Sequence, residues 1–409
     1  VLVIDACGVG ALPDADAYGD AGTNTLAHLA QALGGLRLPV LGSLGLGSIV
    51  EIEGVQPSAD PAIFGRLHAL GPGKDSISGH WELMGVVSER ALPTYPQGFP
   101  QQLLAQLQAA TGHALICNRP DNGLAAIEQF GAEQLRTGAL ILYTSQDSVL
   151  QLAAHVERVP VAELYRACAA ARAVMSGEHA VGRVIARPFA GEPGAFVRTQ
   201  GRRDFALEPP ARSYLQELEA AGVQVHGVGK VVDLFAGVGV SVAHAGATNA
   251  SALDAVAELQ GSLQRGLVFA NLIETDQLYG HRKDAEGFAR ALREIDARVG
   301  RMLAALREGD LLIVTADHGV DLQHPGTDHT REYAPLLAVS GAMLARRGAG
   351  SGEGGAGSGG AGGGLGAGSA GSGLGGARHD GPLADVGASV LRWLTGSEGQ
   401  GLPGEAFIS

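Results

Sequence analysis

The sequence predicts an α/β protein, with a mostly parallel sheet flanked by helices and a smaller α/β unit inserted into it. Three observations carry this expectation. Short apolar runs alternate with helical periodicity, the pattern of strands covered on both faces by crossover helices. Three of those runs end near aspartate, at the carboxyl edge where such sheets gather ligands. Two proline clusters bracket the middle of the chain, as hinges between units do.

Val1–Ile4 is a β-branched and apolar run that ends at Asp5 and is followed by Gly8 and Gly10. It reads as a buried strand leaving into a glycine-rich turn. Pro93, Pro96 and Pro100 on one side and Pro209-Pro210 on the other delimit an insert over 91–209, a cap domain. Within it Gln101–Ala110 and Val161–Met175 read as helices, and Ala139–Tyr143 and Val181–Ala186 as strands. Residues 1–90 and 210–409 then form one discontinuous core domain.

In the second part of the core, Leu267–Leu272 ends near Asp276 and Leu311–Thr315 ends at Asp317. Between them Phe288, Leu292, Ile295, Val299, Met302 and Leu306 recur at helical spacing. Over 348–376, 17 of 29 residues are glycine. Such a stretch buries too little surface to offset its chain entropy and is expected to be a disordered loop without function. Leu383–Leu394 resumes as an amphipathic helix.

Composition narrows the function classes. At 409 residues two domains are the natural expectation, and 45% hydrophobic with 17% charged residues describes a globular chain. A formal net charge of −13 argues against nucleic acid or an anionic membrane as partner. Phosphates remain possible ligands where metals or local cations reverse the field. Cys7, Cys117 and Cys168 show no CxxC spacing, which fits a reducing compartment. No run reaches the ~18 residues of a membrane span and no basic-then-apolar leader is present, so a cytoplasmic location is expected. The chain opens at Val1, inside an apolar run, and residues ahead of it are to be expected.

The chemistry concentrates in three short segments: Asp276-Gln-Leu-Tyr-Gly-His281, Asp317-His318-Gly319, and His324-Pro-Gly-Thr-Asp-His329. Carboxylates and imidazoles in strand-end loops suit a divalent cation of the zinc or manganese type. Singly, such an aspartate is as readily a helix cap and such a histidine a surface residue. Together with Asp5 they supply six ligands, which two metals fit better than one. A further segment, Gly73-Lys-Asp-Ser76-Ile-Ser78-Gly-His-Trp-Glu82, sets a serine in a glycine-flanked loop ahead of a helix. Free N–H groups and the helix dipole suit phosphate there; alternatively Ser76 or Ser78 merely caps the helix. Lys230, after Gly-Val-Gly, is a phosphate candidate on local grounds, whereas Arg183 inside a strand reads by itself as a structural ion pair.

These motifs, in this order, resemble the phosphopentomutases of the alkaline phosphatase superfamily, akin to cofactor-independent phosphoglycerate mutases. The resemblance extends into the insert, through Tyr143-Thr-Ser-Gln-Asp-Ser-Val-Leu-Gln151 and Gly182-Arg-Val-Ile-Ala-Arg-Pro188. It implies an alkaline-phosphatase-like core with two divalent metal ions, manganese being expected although zinc and cobalt suit the same donors. Asp5, Asp317 and His318 would hold one metal; Asp276, His281 and His329 would hold the other. Ser76 falls where the family has its phosphorylated hydroxyl residue, usually threonine. Asp147, Arg183, Arg198 and Lys230 match positions that hold the sugar phosphate. The implied reaction interconverts ribose or deoxyribose 1-phosphate and 5-phosphate through a 1,5-bisphosphate, primed by a sugar bisphosphate. Ala6, Glu274 and Val320 stand where the family commonly has serine, aspartate and asparagine; none is an expected metal ligand. A phosphohydrolase on the same metal core, or a catalytically idle metal-binding protein, are the alternatives.

Overall fold

The computed structural model describes residues 1–58, 60–145, 147–350 and 376–408. In chain order the first part contributes strands β1 (Leu2–Ile4) and β2 (Ile63–His68). The middle part contributes β3 (Leu115–Pro120), β4 (Leu140–Thr144), β5 (Val149–His155), β6 (Arg183–Ala190), β7 (Val197–Arg198) and β8 (Arg203–Ala206). The last part adds β9 (Val225–Val228), β10 (Val242–His244), β11 (Leu267–Leu272), β12 (Leu311–Thr315), β13 (Ala334–Ser340) and β14 (Gly381–Pro382).

Two sheets result. The larger runs β10-β9-β11-β1-β12-β13-β2-β14, with β10, β9, β11, β1 and β12 all parallel. Only β13 opposes its neighbours β12 and β2, so the sheet is mostly parallel, as the apolar runs predict. The smaller sheet runs β3-β4-β5-β6-β7, with β8 also on β6, and mixes parallel and antiparallel pairs. Each sheet has its own apolar packing. Leu2, Trp81, Phe235, Phe269 and Phe288 belong to one buried cluster, whereas Leu140, Leu150, Leu164 and Val184 belong to another.

The helix predicted from periodicity spans Ala285–Ala304, with the Asp284 side chain accepting from Gly287 N–H at its start. Phe288, Leu292, Ile295, Val299 and Met302 form its buried face; Leu306 lies just past its end. Asp296 interrupts that apolar face and is buried too. Its carboxylate accepts from the N–H groups of Val40 and Leu41 and thereby caps the helix Pro39–Leu44, whose first donors would otherwise be orphaned. Of the glycine-rich stretch, 348–350 end a helix, Gly341–Gly350, so the predicted disordered loop starts too early there. The remainder lies outside the described residues, apart from Gly376. No helix among the described residues is long and apolar enough to cross a membrane.

The topology explains where the aspartates meet. β1 sits between β11 and β12, so the carboxyl ends of three parallel strands place Asp5, the Asp276 turn and Asp317 side by side.

Candidate metal centre and active-site cleft

Asp5, Asp276, Asp317, His318 and His329 are all buried. Oxygen or nitrogen atoms of Asp5, Asp317 and His318 lie within 4.8 Å of one another, and so do those of Asp276, His318 and His329. His318 thus stands between two halves of one cluster, its Nε2 at 3.3 Å from Asp5 Oδ1 and 3.4 Å from Asp317 Oδ2. His329 Nε2 and His281 Nε2 each lie 3.4 Å from one of the two Asp276 carboxylate oxygens. Asp276 sits in a π-helical turn, Thr275–Gly280, a geometry that recurs at functional sites. Thr275 Oγ1 donates to the Asp5 carbonyl at 2.7 Å and ties that turn to β1.

Neighbouring groups orient the imidazoles. His318 Nδ1 contacts Gly319 O at 3.1 Å and His281 Nδ1 contacts Thr327 O at 2.6 Å. A carbonyl at Nδ1 keeps the proton there and leaves Nε2 free as a ligand. Burial alone would raise the Asp276 carboxyl, but the imidazoles of His329 and His281 hold it well below the usual carboxylate range. Burial works against a charge on His281, yet Asp276 lifts its imidazole to about 9. Burial and the charge of Asp317 push the Asp5 carboxyl up. Asp5 and Asp317 crowd two buried carboxylates together, a setting that suits a cation.

Whether a divalent metal fits can be judged from the donors. Asp276 Oδ1, Asp317 Oδ2 and His329 Nε2 are buried without a hydrogen-bond partner, and buried polar atoms are rarely left so. All three belong to the oxygen and nitrogen set that manganese or zinc accepts. The residues fit the metals.

Ser76 opens the helix Ser76–Leu83, but it does not cap it. Asp75 does, accepting from the N–H groups of Ile77 and Ser78 at 3.0 and 3.1 Å, and it also takes the Ser78 hydroxyl at 2.7 Å. The Ser76 hydroxyl is therefore left to the cluster, 3.1 Å from His318 Nε2 and 3.4 Å from Asp5 Oδ1. Gly79, one turn along, lets the helix lie against Asp317; a Cβ there would come within 2.5 Å of the Asp317 carbonyl oxygen.

In front of Ser76 lies a cleft of about 580 Å³ between the two sheets. Asp5, Ser76, Lys230, Asp276, His281 and His329 line its core side, and Asp147, Arg183 and Arg198 line the other. The structure thus brings Asp5, Ser76, Asp147, Arg183, Arg198, Lys230, Asp276, His281 and His329 to one cleft, with Asp317 and His318 in the carboxylate–imidazole cluster beside it, whereas Ser78 turns to Asp75 and His324 to the Gly19 carbonyl. Arg183 lies 4.0 Å from Asp147 and 3.7 Å from Asp204, so the structural ion pair and the cleft position coexist. Its Nε is buried and unpaired. Burial lowers the Lys230 ammonium, and Arg183 adds repulsion.

Several residues of this site carry no role in the sequence reading. Arg187 and Arg202 also line the cleft; burial, with Arg202 and Arg198 nearby, lowers the Arg187 guanidinium. Asn271 Nδ2 donates to Asp5 Oδ2 at 2.8 Å and lies 3.2 Å from His80 Nε2, while His80 Nδ1 reaches the Ser76 carbonyl at 2.9 Å. One polar chain thus joins a metal-ligand candidate to the serine. Asn271 was detectable as a polar residue within an otherwise apolar strand; His80 lies in a quoted motif but without a partner that sequence could supply.

A model of the metalloenzyme superfamily matches residues 1–395. Phosphopentomutase of Caldanaerobacter subterraneus subsp. tengcongensis is 45% identical over 351 residues, covering 86% of this chain and 89% of that protein. The chain belongs to the phosphopentomutases. Other family members are equally similar: that of Clostridium novyi is 45% identical over 353 residues, covering 86% of this chain and 90% of its own. The Carboxydothermus hydrogenoformans phosphopentomutase is 47% identical over 338 residues, covering 82% and 87%. Among solved structures, Leishmania mexicana phosphoglycerate mutase overlies 100% of this chain and 97% of its own at 13% identity. Its TM-score of 0.47 is too loose to carry anything about this chain.

Proposed function

We propose that this phosphopentomutase-family chain moves a phosphoryl group between the 1- and 5-positions of ribose or deoxyribose phosphates through phosphorylated Ser76. The observation that carries the reading is the Ser76 hydroxyl. Released from capping by Asp75, it lies 3.1 Å from His318 Nε2 and 3.4 Å from Asp5 Oδ1 at the floor of a cleft that four arginines also line. Asp5, Asp317 and His318 would hold one divalent metal and Asp276, His281 and His329 a second, manganese being the proposed ion. When bound, the metals acidify the hydroxyl and neutralise charge on the phosphoryl oxygens.

The other steps belong to the chain itself. Arg183, Arg198 and Lys230 grip the phosphate that is not being transferred, and Asp147 accepts from sugar hydroxyls. Arg183, Arg187, Arg198 and Arg202 all line one cleft, and a doubly phosphorylated sugar would relieve the repulsion among them. Ser76 gives its phosphoryl to the sugar, the 1,5-bisphosphate reorients, and Ser76 takes back the phosphoryl from the other position. A sugar bisphosphate primes the unphosphorylated serine. The unit 91–209 acts as a cap that keeps water from phosphoserine. A cytoplasmic location is part of the same proposal.

A coupled assay tests this: ribose 1-phosphate to ribose 5-phosphate, with manganese and catalytic sugar bisphosphate, while free phosphate is followed. Isomerisation with little phosphate release is expected, and Ser76→Ala should abolish it with metals still bound. Phosphate release without isomerisation would make the chain a hydrolase.

A further inference from the structure

The segment after His329 runs extended between loops of the cleft floor. Thr330 exchanges backbone hydrogen bonds with Gly319, and Glu332 bridges to Ala11. Successive side chains of an extended segment point to opposite sides, and here they carry opposite charges. The buried Glu332 carboxylate accepts from Gly10 N–H, Thr25 N–H, the Thr25 hydroxyl and the Thr330 hydroxyl at 2.7 to 3.2 Å. It serves the loops that carry Asp5 and His318.

Arg331 serves a different loop. Its guanidinium is buried, and its Nη1 donates to the carbonyls of Gly71 and Gly73, both at 2.8 Å. The fork's other edge holds Asp14, through Nη2 at 2.9 Å and Nε at 3.2 Å. The plane lies 4.9 Å from the Tyr18 ring centre, and the Tyr18 hydroxyl donates to the carbonyl of Pro72 at 3.1 Å. Three consecutive carbonyls, Gly71, Pro72 and Gly73, are thus held by one stacked pair. The Arg331 N–H meanwhile donates to Asp20 Oδ2 at 2.8 Å, and Asp20 also receives Lys74 Nζ at 3.0 Å. The loop so held leads directly into Ser76.

We propose that Arg331 is a positioning residue for phosphoryl transfer: by clamping 71–73 it sets the Ser76 hydroxyl against the metal ligands without touching metal or substrate. The proposal rests on Ser76 being the phosphorylated residue. A Gly-Pro-Gly loop has little side-chain packing of its own, so external donors must define its path. A planar fork bridges two carbonyls and a carboxylate at once, which an ammonium cannot do. Misplacing the serine affects the transfer step, while the cationic wall that binds the sugar phosphate is untouched.

The test uses the metal-loaded enzyme and compares Arg331→Ala, Arg331→Lys and Ser76→Ala for kcat, KM and manganese affinity. For both Arg331 variants kcat should fall by on the order of 10²-fold, with KM and manganese affinity nearly unchanged. Millimolar guanidinium should restore kcat to Arg331→Ala and not to Arg331→Lys. An unchanged kcat, or a parallel loss of manganese affinity, would overturn the proposal. Should neither variant fold, Asp14→Asn at the exposed end of the fork substitutes for them. It should lower kcat alone, and an unchanged kcat there is equally fatal. A fully active Ser76→Ala would instead sink the phosphoserine reading, a failure distinguishable from loss of the clamp.

Discussion

Replacing Gly79 by alanine should separate chemistry from binding at this site. Gly79 lies in the helix that Ser76 opens, and an added Cβ would sit 2.5 Å from the Asp317 carbonyl oxygen and 2.8 Å from Asp317 Cβ. Ordinary contact begins at 3.4 Å, so one side must yield about 0.9 Å. Neither side is free to do so. Asp317 Oδ1 is fixed by the N–H groups of Ala6 and His318, each at 3.1 Å. The helix is fixed by Trp81 Nε1 on Leu234 O at 2.8 Å and by Glu82 on the N–H groups of Leu70 and Gly71. Whichever moves, the 3.1 Å approach of the Ser76 hydroxyl to His318 is lost. A displacement near 1 Å at reacting groups costs about 10²-fold in rate, and overpacking costs about 1–3 kcal/mol of stability. Steady-state kinetics with manganese, alongside thermal unfolding, should show kcat reduced on that scale and KM little changed. Gly261→Ala is the control: its Cβ meets nothing within 4 Å in the helix Asn249–Ser262. It should stabilise by about 0.5–1 kcal/mol and leave the rate alone. A folded Gly79→Ala enzyme with undiminished kcat would refute the claim that helix placement controls Ser76.

Three further outcomes are expected. Metal binding should release protons, because His281 without metal titrates at about 9 and is protonated at neutral pH. Raising the pH towards 9 removes that competing proton and should strengthen manganese binding; titration calorimetry in buffers of different ionisation enthalpy measures the release, and a pH-independent affinity would contradict it. Ala6, directly after Asp5, has φ of 62°, a left-handed conformation costing about 1–2 kcal/mol without glycine. Ala6→Gly should therefore be neutral to stabilising in denaturant titrations, whereas Ala289→Gly inside a helix should cost about 1 kcal/mol. Arg187→Gln should raise KM for the sugar phosphate and leave manganese affinity unchanged, since Arg187 lines the cleft and belongs to neither candidate metal cluster; an unaltered KM would remove it from the binding wall.

Local patterns were readable because their causes are local. The runs at Leu2–Ile4, Leu267–Leu272 and Leu311–Thr315 announce buried parallel strands by composition alone, and the Phe288–Met302 face announces its helix by period. The aspartates at the strand ends are likewise visible in short segments, as are the histidines beside them that could bind a cation. Whether Ser76 caps its helix was not decidable, because Asp75, Ser76 and Ser78 can all cap and only the backbone path selects Asp75. Strand β13, antiparallel to its neighbours in the larger sheet, carries the same apolar signal as the parallel strands there, since burial on both faces hides direction. The partners that organise the site are nonlocal. Asn271 reaches Asp5 across 266 residues, and Arg331 reaches Gly71 and Gly73 across 260 and 258. Sequence determined which groups could bind metal and phosphate, because donor chemistry belongs to each residue. Only the tertiary structure decided which of them meet, because a hydrogen bond depends on positions that the order of strands in the sheet sets.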